Sequence, residues 1–239
     1  ALSSAASDVY KRQIEVNMTS VESAEENQIV KLQMGDGDSA ISQESNLDIE
    51  MTRNPAAVHR KGQQKTNMAG TKETQEMESY QVEEDGKTVI YSGTDEAWEK
   101  NAVEEKETSS QQTVLFDGLQ NLSGAFSVSQ DLATVNKEEC FELTGTISGT
   151  QFQETFADTL KALLGEDSSD LSGWNLQASE DEENNEELQQ KVNNVKVDCV
   201  IDIYRSNILP AKITFDLTDY LKAAGEENAQ VTSYTCLLY

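Results

Sequence analysis

A strict alternation of apolar and polar residues runs through the segment from residue 197 to residue 221. The apolar residues occupy alternate positions on either side of a polar turn at residues 205–207, and they are Val197, Cys199, Ile201, Ile203, Leu209, Ala211, Ile213, Phe215 and Leu217. A period of two places alternate side chains on opposite faces of a strand, so the pattern predicts an antiparallel hairpin with one apolar face. That face must be covered by a second sheet, a helix or a ligand.

The same alternation continues through the N-terminal part of the chain. The alternating runs are separated by turns rich in Gly and Asp at a spacing of roughly 10 to 15 residues, which is typical of an antiparallel meander. The predicted strands cover residues 14–20, 27–34, 41–52, 74–82 and 87–93, and further strands carry Trp98 and the segment 140–149. One face of each strand is polar, so we expect a single curved sheet with a solvated outer side.

Helical spacing interrupts the strands in the second half of the chain. Residues 109–122 have a broken apolar stripe, and residues 150–165 have a clearer one that ends at Gly165. An acidic stretch beginning at Ser179 has the N-cap and first-turn acids of a short helix. We therefore predict an α+β fold, a single curved antiparallel sheet (a half-barrel) of roughly eight to eleven strands with roughly two to four helices on its concave face.

Acidic residues dominate the composition. The chain has 44 acidic and 18 basic residues and a net charge of −26. Nucleic acid binding needs clustered Lys and Arg, and an anionic membrane surface repels such a chain, so neither is expected as a partner. Disorder is the alternative that this charge raises, but the apolar alternation and the presence of only 2 Pro argue against it. The sequence has no apolar run of about 18 residues that would span a membrane.

The two ends of the chain have an unusual composition. The opening residues LSSAASDVYKRQ resemble translated sequencing-adaptor sequence, and the closing CLLY is similar; an ordinary polar tail is the alternative. We therefore expect residues 1–13 to be a non-native or disordered tail and residues 225–239 to be a second one. A single domain is expected over residues 14–224.

The sequence has no catalytic or metal-binding signature. His59 is the single histidine, and its polar, basic surroundings favour a solvated side chain over a catalytic base. Zinc spacing is missing, and the acidic turns at 35–39 and 165–173 do not follow the calcium-loop pattern. We expect no enzyme activity, no metal and no cofactor.

Cysteine placement also follows from the alternation. Cys199 belongs to the apolar set of its strand, whereas Cys140 points with Glu142 to the polar side of its own strand. Ideal strands would put the two thiols on opposite faces, so a disulfide between them would need a bulge. Isolated thiols are the favoured interpretation, and a bridge is the alternative.

The order of the elements resembles that of the LolA/LppX-like lipoproteins, in particular the acidic LolA-like lipoproteins of clostridial-type Gram-positive bacteria. The segments that carry the resemblance are IEVNMTS, NLDIEMTRNP, MESYQVEEDGKTVIYSGTDEAWEK, CFELTGTISG and VIDIYRSNILPAKITFDLT. In the last segment, Asp202, the polar turn and Pro210 match a strand–Asp–turn–Pro–strand pattern. The sequence departs from the family in having no lipobox cysteine and a longer acidic insert near residues 180–187.

The resemblance implies a LolA-like half-barrel that holds a lipid or another apolar small molecule between the sheet and the helices. It also implies an extracytoplasmic lipoprotein at the outer face of the bacterial cell membrane, with an anchor cysteine upstream of residue 1. We expect a monomer that meets the membrane only through this anchor.

Apolar residues that face inward from both layers are the candidates for a ligand-binding cavity lining: Phe141, Leu143, Phe152, Phe156, Leu160, Ile201, Ile213 and Phe215. Two interpretations stay open, because the same side chains either line a cavity in a carrier or fill a closed core in a surface, sensor or structural module. A hydrolase is the weakest alternative, because it lacks a credible base and nucleophile.

Overall fold

Antiparallel strands make up most of the structure, a computed structural model that describes residues 4–35, 40–68, 70–94, 97–103, 126–152, 190–223 and 229–238. The strands are β1 (Ser23–Met34), β2 (Ile41–Thr52), β3 (Ala57–Met68), β4 (Thr71–Glu84), β5 (Lys87–Thr94), β6 (Ala97–Val103), β7 (Ser127–Val128), β8 (Ala133–Val135), β9 (Glu138–Ser148), β10 (Lys196–Tyr204), β11 (Pro210–Asp216) and β12 (Ala229–Leu238). The helices are α1 (Ser4–Met18) and α2 (Thr218–Ala223), and helical turns cover 149–152 and 190–194.

The strands form one open 12-stranded sheet in the order β6-β5-β4-β3-β2-β1-β12-β11-β10-β9-β7, with β8 pairing to β9. The first six strands are a meander, in which each strand pairs with the next one along the chain. β12 lies between β1 and β11 and pairs with both. The predicted α+β half-barrel class is confirmed, although the sheet has more strands than we expected.

The C-terminal hairpin has the predicted form. β10 and β11 are antiparallel, and Ile201 lies directly opposite Ile213. The register shifts between Asp202 and Ile203, because a bulge interrupts the pairing as the hairpin approaches its turn. The predicted helix at 109–122, the part of the 150–165 helix after residue 152 and the acidic stretch from Ser179 to residue 189 lie outside the described residues, whereas residues 190–194 at the end of that stretch are helical.

Residues 4–18 form a helix. The predicted strand at 14–20 is therefore wrong, and so is the prediction that the tail at 1–13 is disordered. Ser7, Lys11, Ile14 and Met18 are the buried residues of α1, and they recur at helical spacing. A lysine and a serine in this stripe obscured the helical period in the sequence. The Lys11 ammonium lies 5.2 Å from the ring centroid of Phe126, and Lys11 Nζ lies 3.0 Å from Asp8 Oδ1.

The C-terminal end of α1 is tied to two distant turns of the sheet. The Arg53 guanidinium, after β2, donates to the carbonyl oxygens of Met18 at 2.9 Å and Thr19 at 3.3 Å. The Asn17 amide donates to the carbonyl oxygen of Asn207, in the β10–β11 turn, at 2.9 Å. Helix ends leave carbonyl groups without partners inside the helix, and Arg53 adds donors here beside the Val21 N–H, which also donates to the Met18 carbonyl oxygen.

The predicted tail at 225–239 is also wrong as a disordered segment, because residues 229–238 are β12. Its backbone pairs with β1 over Glu26–Met34 and with β11 over Lys212–Asp216. Strand pairing satisfies backbone groups whatever the side chains are, and the sequence composition of this segment did not reveal it. That the two ends of the chain are non-native stays a prediction.

Two buried clusters lie on opposite faces of the sheet. We call the face that carries Leu143, Ile201 and Ile213 the inner face, because the main hydrophobic cluster and the buried residues of α1 and α2 gather there. The opposite, outer face carries a small cluster of Val135, Cys140, Tyr204 and Ala211, beside β8.

The two cysteines of the sheet core follow the predicted parity. Cys199 belongs to the inner-face cluster and Cys140 to the outer-face cluster, and both are buried free thiols. Burial raises the pKa of each thiol, so both are held in the uncharged form. The interpretation as isolated thiols agrees with the structure.

We predict that Ile14→Ala lowers the free energy of unfolding by about 2 to 4 kcal/mol, because the side chain is 1% exposed in the core. Val16→Ala on the same helix is the matched control, since Val16 is 63% exposed, and it should change stability by less than about 0.5 kcal/mol. Urea unfolding measures both. Equal small effects would show that α1 does not pack on the sheet.

Candidate functional site: the inner face of the sheet

The inner face is apolar where β9, β10 and β11 meet. Leu143, Ile201 and Ile213 lie directly opposite one another across the three strands and are fully buried. Phe215, one position along the same face of β11, is fully buried as well. The strict alternation of these strands produces this surface, because each strand contributes its apolar set to the same side.

Aromatic side chains from the helices pack onto this apolar half. The Phe152 ring, from the helical turn at 149–152, meets the rings of Phe215 and Tyr220 edge-on at centroid distances of 5.5 and 5.0 Å. Tyr10 of α1 lies 5.0 Å from Phe141. Such tilted contacts are the favoured geometry of aromatic pairs, so this end of the inner face is closely packed.

The structure brings together the predicted cavity residues that it describes. Phe141, Leu143, Phe152, Ile201, Ile213 and Phe215 all belong to one cluster or pack against it. Phe156 and Leu160 lie outside the described residues. That these side chains line a ligand cavity stays a prediction.

The inner face becomes mixed toward β1–β4, where polar residues stand among apolar cluster members such as Val30, Leu47 and Ile49. The buried polar residues at inward positions of these strands are Glu26, Gln28, Ser45 and Gln81, and Arg60 lies partly buried among them. Gln28 donates a hydrogen bond to Glu26, and the Arg60 guanidinium donates to Gln81 Oε1 at 3.3 Å. We call Glu26, Gln28, Arg60 and Gln81 the polar cluster.

The polar cluster is electrostatically costly. Burial lowers the pKa of Arg60, and the nearby Glu26 carboxylate acts in the opposite direction by favouring the charged guanidinium. Gln81 Nε2 is buried without a hydrogen-bond partner in the described part of the chain. Buried polar groups of this kind are unfavourable in a dry core, so they point to a polar environment at this position.

Sequence reasoning missed the polar cluster, although a signal was present. Glu26 and Gln28 have the same strand parity as Val30 and Leu32, so they stand at positions where the alternation predicts apolar residues. Polar residues at inward positions are informative because they are rare in protein cores.

The outer face holds His59 in a fixed position. The sequence predicted a solvated side chain, but the side chain is half-buried. The imidazole ring stacks on the Tyr80 ring at a centroid distance of 4.3 Å. His59 Nε2 lies 2.8 Å from Glu78 Oε1, and this hydrogen bond is the main reason that the pKa of Glu78 is lowered. A shallow cleft of about 600 Å³ opens beside His59 and Tyr80 at the ends of β1–β4.

Asp202 is the buried carboxylate of the outer face. It lies between Glu142 on β9 and Lys212 on β11, and it is 5% exposed. Burial, reinforced by the Glu142 charge and opposed by Lys212, raises the pKa of Asp202 to about 6. Its Oδ1 atom has no hydrogen-bond partner within the described residues.

The described residues contain no group of three or more His, Cys, Asp and Glu side chains that would hold a metal ion. None of the described helices has the length and apolarity needed to cross a membrane.

Comparisons with known proteins identify both a family and a fold. A family model with the description "Family of unknown function (DUF6612)" matches residues 5–233. Curated proteins contain no significant match to the chain. The family match includes α1 from residue 5 onward and the first half of β12.

Solved structures resemble the whole chain at low sequence identity. Lipoprotein LppX of Mycobacterium tuberculosis matches at a TM-score of 0.50 and 14% identity, covering 98% of this chain and 93% of LppX. LprF of Mycobacterium bovis matches at a TM-score of 0.53 and 10% identity, covering 100% of this chain and 94% of LprF. At such identities the likeness shows the fold, which is the LppX-like half-barrel implied by the sequence segments. The clostridial origin stays a prediction.

We predict that Asp202→Asn stabilises the protein at pH 7 to 8 by about 1 to 2 kcal/mol, with little effect near pH 4. The native pKa is raised, so the unfolded chain loses its proton first, and native stability falls as pH rises from about 4 to about 6. Thermal unfolding of both proteins across this pH range measures the difference. If the stability of the two proteins changed with pH in parallel, this result would contradict the raised pKa of Asp202.

We predict that Phe152→Ala lowers the free energy of unfolding by about 3 to 5 kcal/mol, because the ring is fully buried against Phe215 and Tyr220. Leu132→Ala is the control, since Leu132 is exposed. Denaturant unfolding measures both variants. A loss below about 1 kcal/mol for Phe152→Ala would mean that the ring borders open space instead of a packed core.

Proposed function

We propose that this chain, which belongs to the family of unknown function DUF6612, is an extracytoplasmic binding module that holds a lipid or another apolar ligand against the inner face of its sheet. The ligand would lie between the sheet and the helices. The protein would act as a non-enzymatic carrier or binding protein of the lipoprotein type.

The two-part inner face is the observation that carries this proposal. The half on β9–β11 is apolar and buried, whereas the half on β1–β4 places buried Glu26, Gln28 and Gln81 among buried apolar residues of the same cluster. A core that served only stability would gain from apolar residues at these positions, because burying polar groups costs free energy. An amphiphilic ligand suits a surface with both halves.

The fold likeness supports the extracytoplasmic location. The likeness extends over nearly the full length of the lipoprotein LppX, and at this identity it is a likeness of fold alone. The strongly acidic surface fits an aqueous compartment outside the cell and disfavours direct adsorption to anionic lipid. Attachment to the outer face of the cell membrane through a lipid anchor is part of the same proposal.

A closed-core surface, sensor or structural module is the second candidate function. The packing of Phe152 against Phe215 and Tyr220 favours it, because these three rings are buried and meet edge-on at the apolar end of the inner face. In this alternative the polar cluster would serve specificity of folding and no ligand would bind.

We predict that organic extraction of the purified protein releases lipid detectable by mass spectrometry. The delipidated protein should then bind a fluorescent fatty acid saturably. Ile49→Trp enlarges the side chain at a buried inward position of β2. This substitution should weaken the binding of the probe roughly tenfold. Trp98→Ala at an exposed position of β6 is the control and should leave probe binding unchanged.

The alternative gives a different set of results. If no lipid is released and the probe stays dark, the carrier proposal fails and the closed-core module stands. Released lipid without any effect of Ile49→Trp would place the ligand away from the inner face.

A further inference from the structure

A buried amide in the polar cluster has one hydrogen-bonding atom satisfied and the other not. Gln81 is 1% exposed, and its Oε1 accepts a hydrogen bond from Arg60. Its Nε2 is buried without an acceptor in the described part of the chain. Leaving such a donor without an acceptor is unfavourable, so the position suits an oxygen atom of a bound molecule.

The register places this amide within a group of inward-facing polar residues. Glu26, Ile49 and Arg60 lie opposite one another on β1, β2 and β3, and Gln81 on β4 lies opposite Val58. In the adjacent row, Gly62 stands at the inward position of β3 and contributes no side chain. A Cβ built there would lie 2.8 Å from Leu47 Cα, so the close strand approach keeps this position as glycine beside Arg60.

The charges of the polar cluster determine which polar head group of an amphiphilic ligand would fit there. Arg60 carries a positive charge and Glu26 a negative one, and the two are near enough for the Glu26 carboxylate to stabilise the guanidinium. An anionic head would meet the Glu26 carboxylate, and a cationic head would meet Arg60. An uncharged head with hydroxyl and carbonyl oxygens can donate to Glu26 and accept from Gln81 Nε2.

We propose that the β1–β4 half of the inner face is the subsite for the polar head of an amphiphile, and that this head is uncharged and rich in hydroxyl or ester oxygens. This inference rests on the proposed function and adds the chemical class and the orientation of the ligand. The acyl part would extend toward β11. β3 and β11 are separated by four strand spacings, roughly 19 Å, a distance comparable with a long acyl chain.

The test compares amphiphiles that share one acyl chain and differ in the head. Delipidated full-length protein is loaded with a fluorescent fatty acid, which is then displaced by a monoacylglycerol, an alkyl phosphate or an alkyl amine below their micelle concentrations. We expect the monoacylglycerol to displace the probe at roughly tenfold lower concentration than either charged amphiphile. A one-hydrogen-bond preference has about this size.

Gln81→Met removes the amide while keeping the side-chain length. It should lower the affinity for the monoacylglycerol roughly fivefold to tenfold and leave the affinities for the charged amphiphiles within about twofold. Gln75→Met is the matched control, because Gln75 is on the same strand with the same parity but is exposed. Gln81→Asn, which withdraws the amide by one methylene, is the second variant and should show the same loss if Gln81→Met does not fold.

The outcomes separate this inference from the proposed function. If no amphiphile displaces the probe or the probe does not bind, the proposed function fails and this inference fails with it. If the amphiphiles bind equally well, or if the preference for the uncharged head survives in the Gln81 variants, this inference is wrong and the proposed function stands. A preference lost in the Gln81 variants and kept in Gln75→Met confirms it.

Discussion

The pairing of β12 between β1 and β11 is the constraint on which the rest of the structure depends. The β1–β6 meander and the β9–β11 group are distant in sequence. In the described sheet β12 joins them, because it pairs with β1 on one side and with β11 on the other. Its register aligns Gln28 on β1, Cys236 on β12 and Ile213 on β11 in one row. Backbone pairing thereby joins the mixed polar and apolar surface of β1–β4 and the apolar surface of β9–β11 into one continuous inner face.

The two halves of that face are stabilised differently. The β9–β11 half gains from burial of branched and aromatic side chains and from the edge-on ring contacts of Phe152. The β1–β4 half buries Glu26 and Arg60, whose desolvation costs free energy that mutual attraction and hydrogen bonds only partly offset. A sheet that retains such residues at inward positions departs from the best choice for stability, as binding sites often do.

Position relative to the strand alternation also explains the isolated features of the outer face. Cys140, Asp202 and Tyr204 all fall on the outer parity of β9 and β10, and β8 pairs with β9 beside them. Burial there explains both the raised pKa of Asp202 and the uncharged state of the Cys140 thiol. The Asp202–turn–Pro210 pattern that stands out in the sequence thus marks a buried carboxylate at the bulge of the hairpin.

The sequence by itself determined the features that depend on local periodicity. The alternation in β2 and in the β10–β11 hairpin predicted their strands, the parity of Cys140 and Cys199, and the apolar residues that meet on the inner face, because side-chain direction in a strand follows from position alone. Tertiary structure decided the helical state of residues 4–18, the pairing of β12 and the inward side of Gln81. These depend on which partner each segment meets, and a stretch of mixed polar residues has no local pattern that specifies its partner.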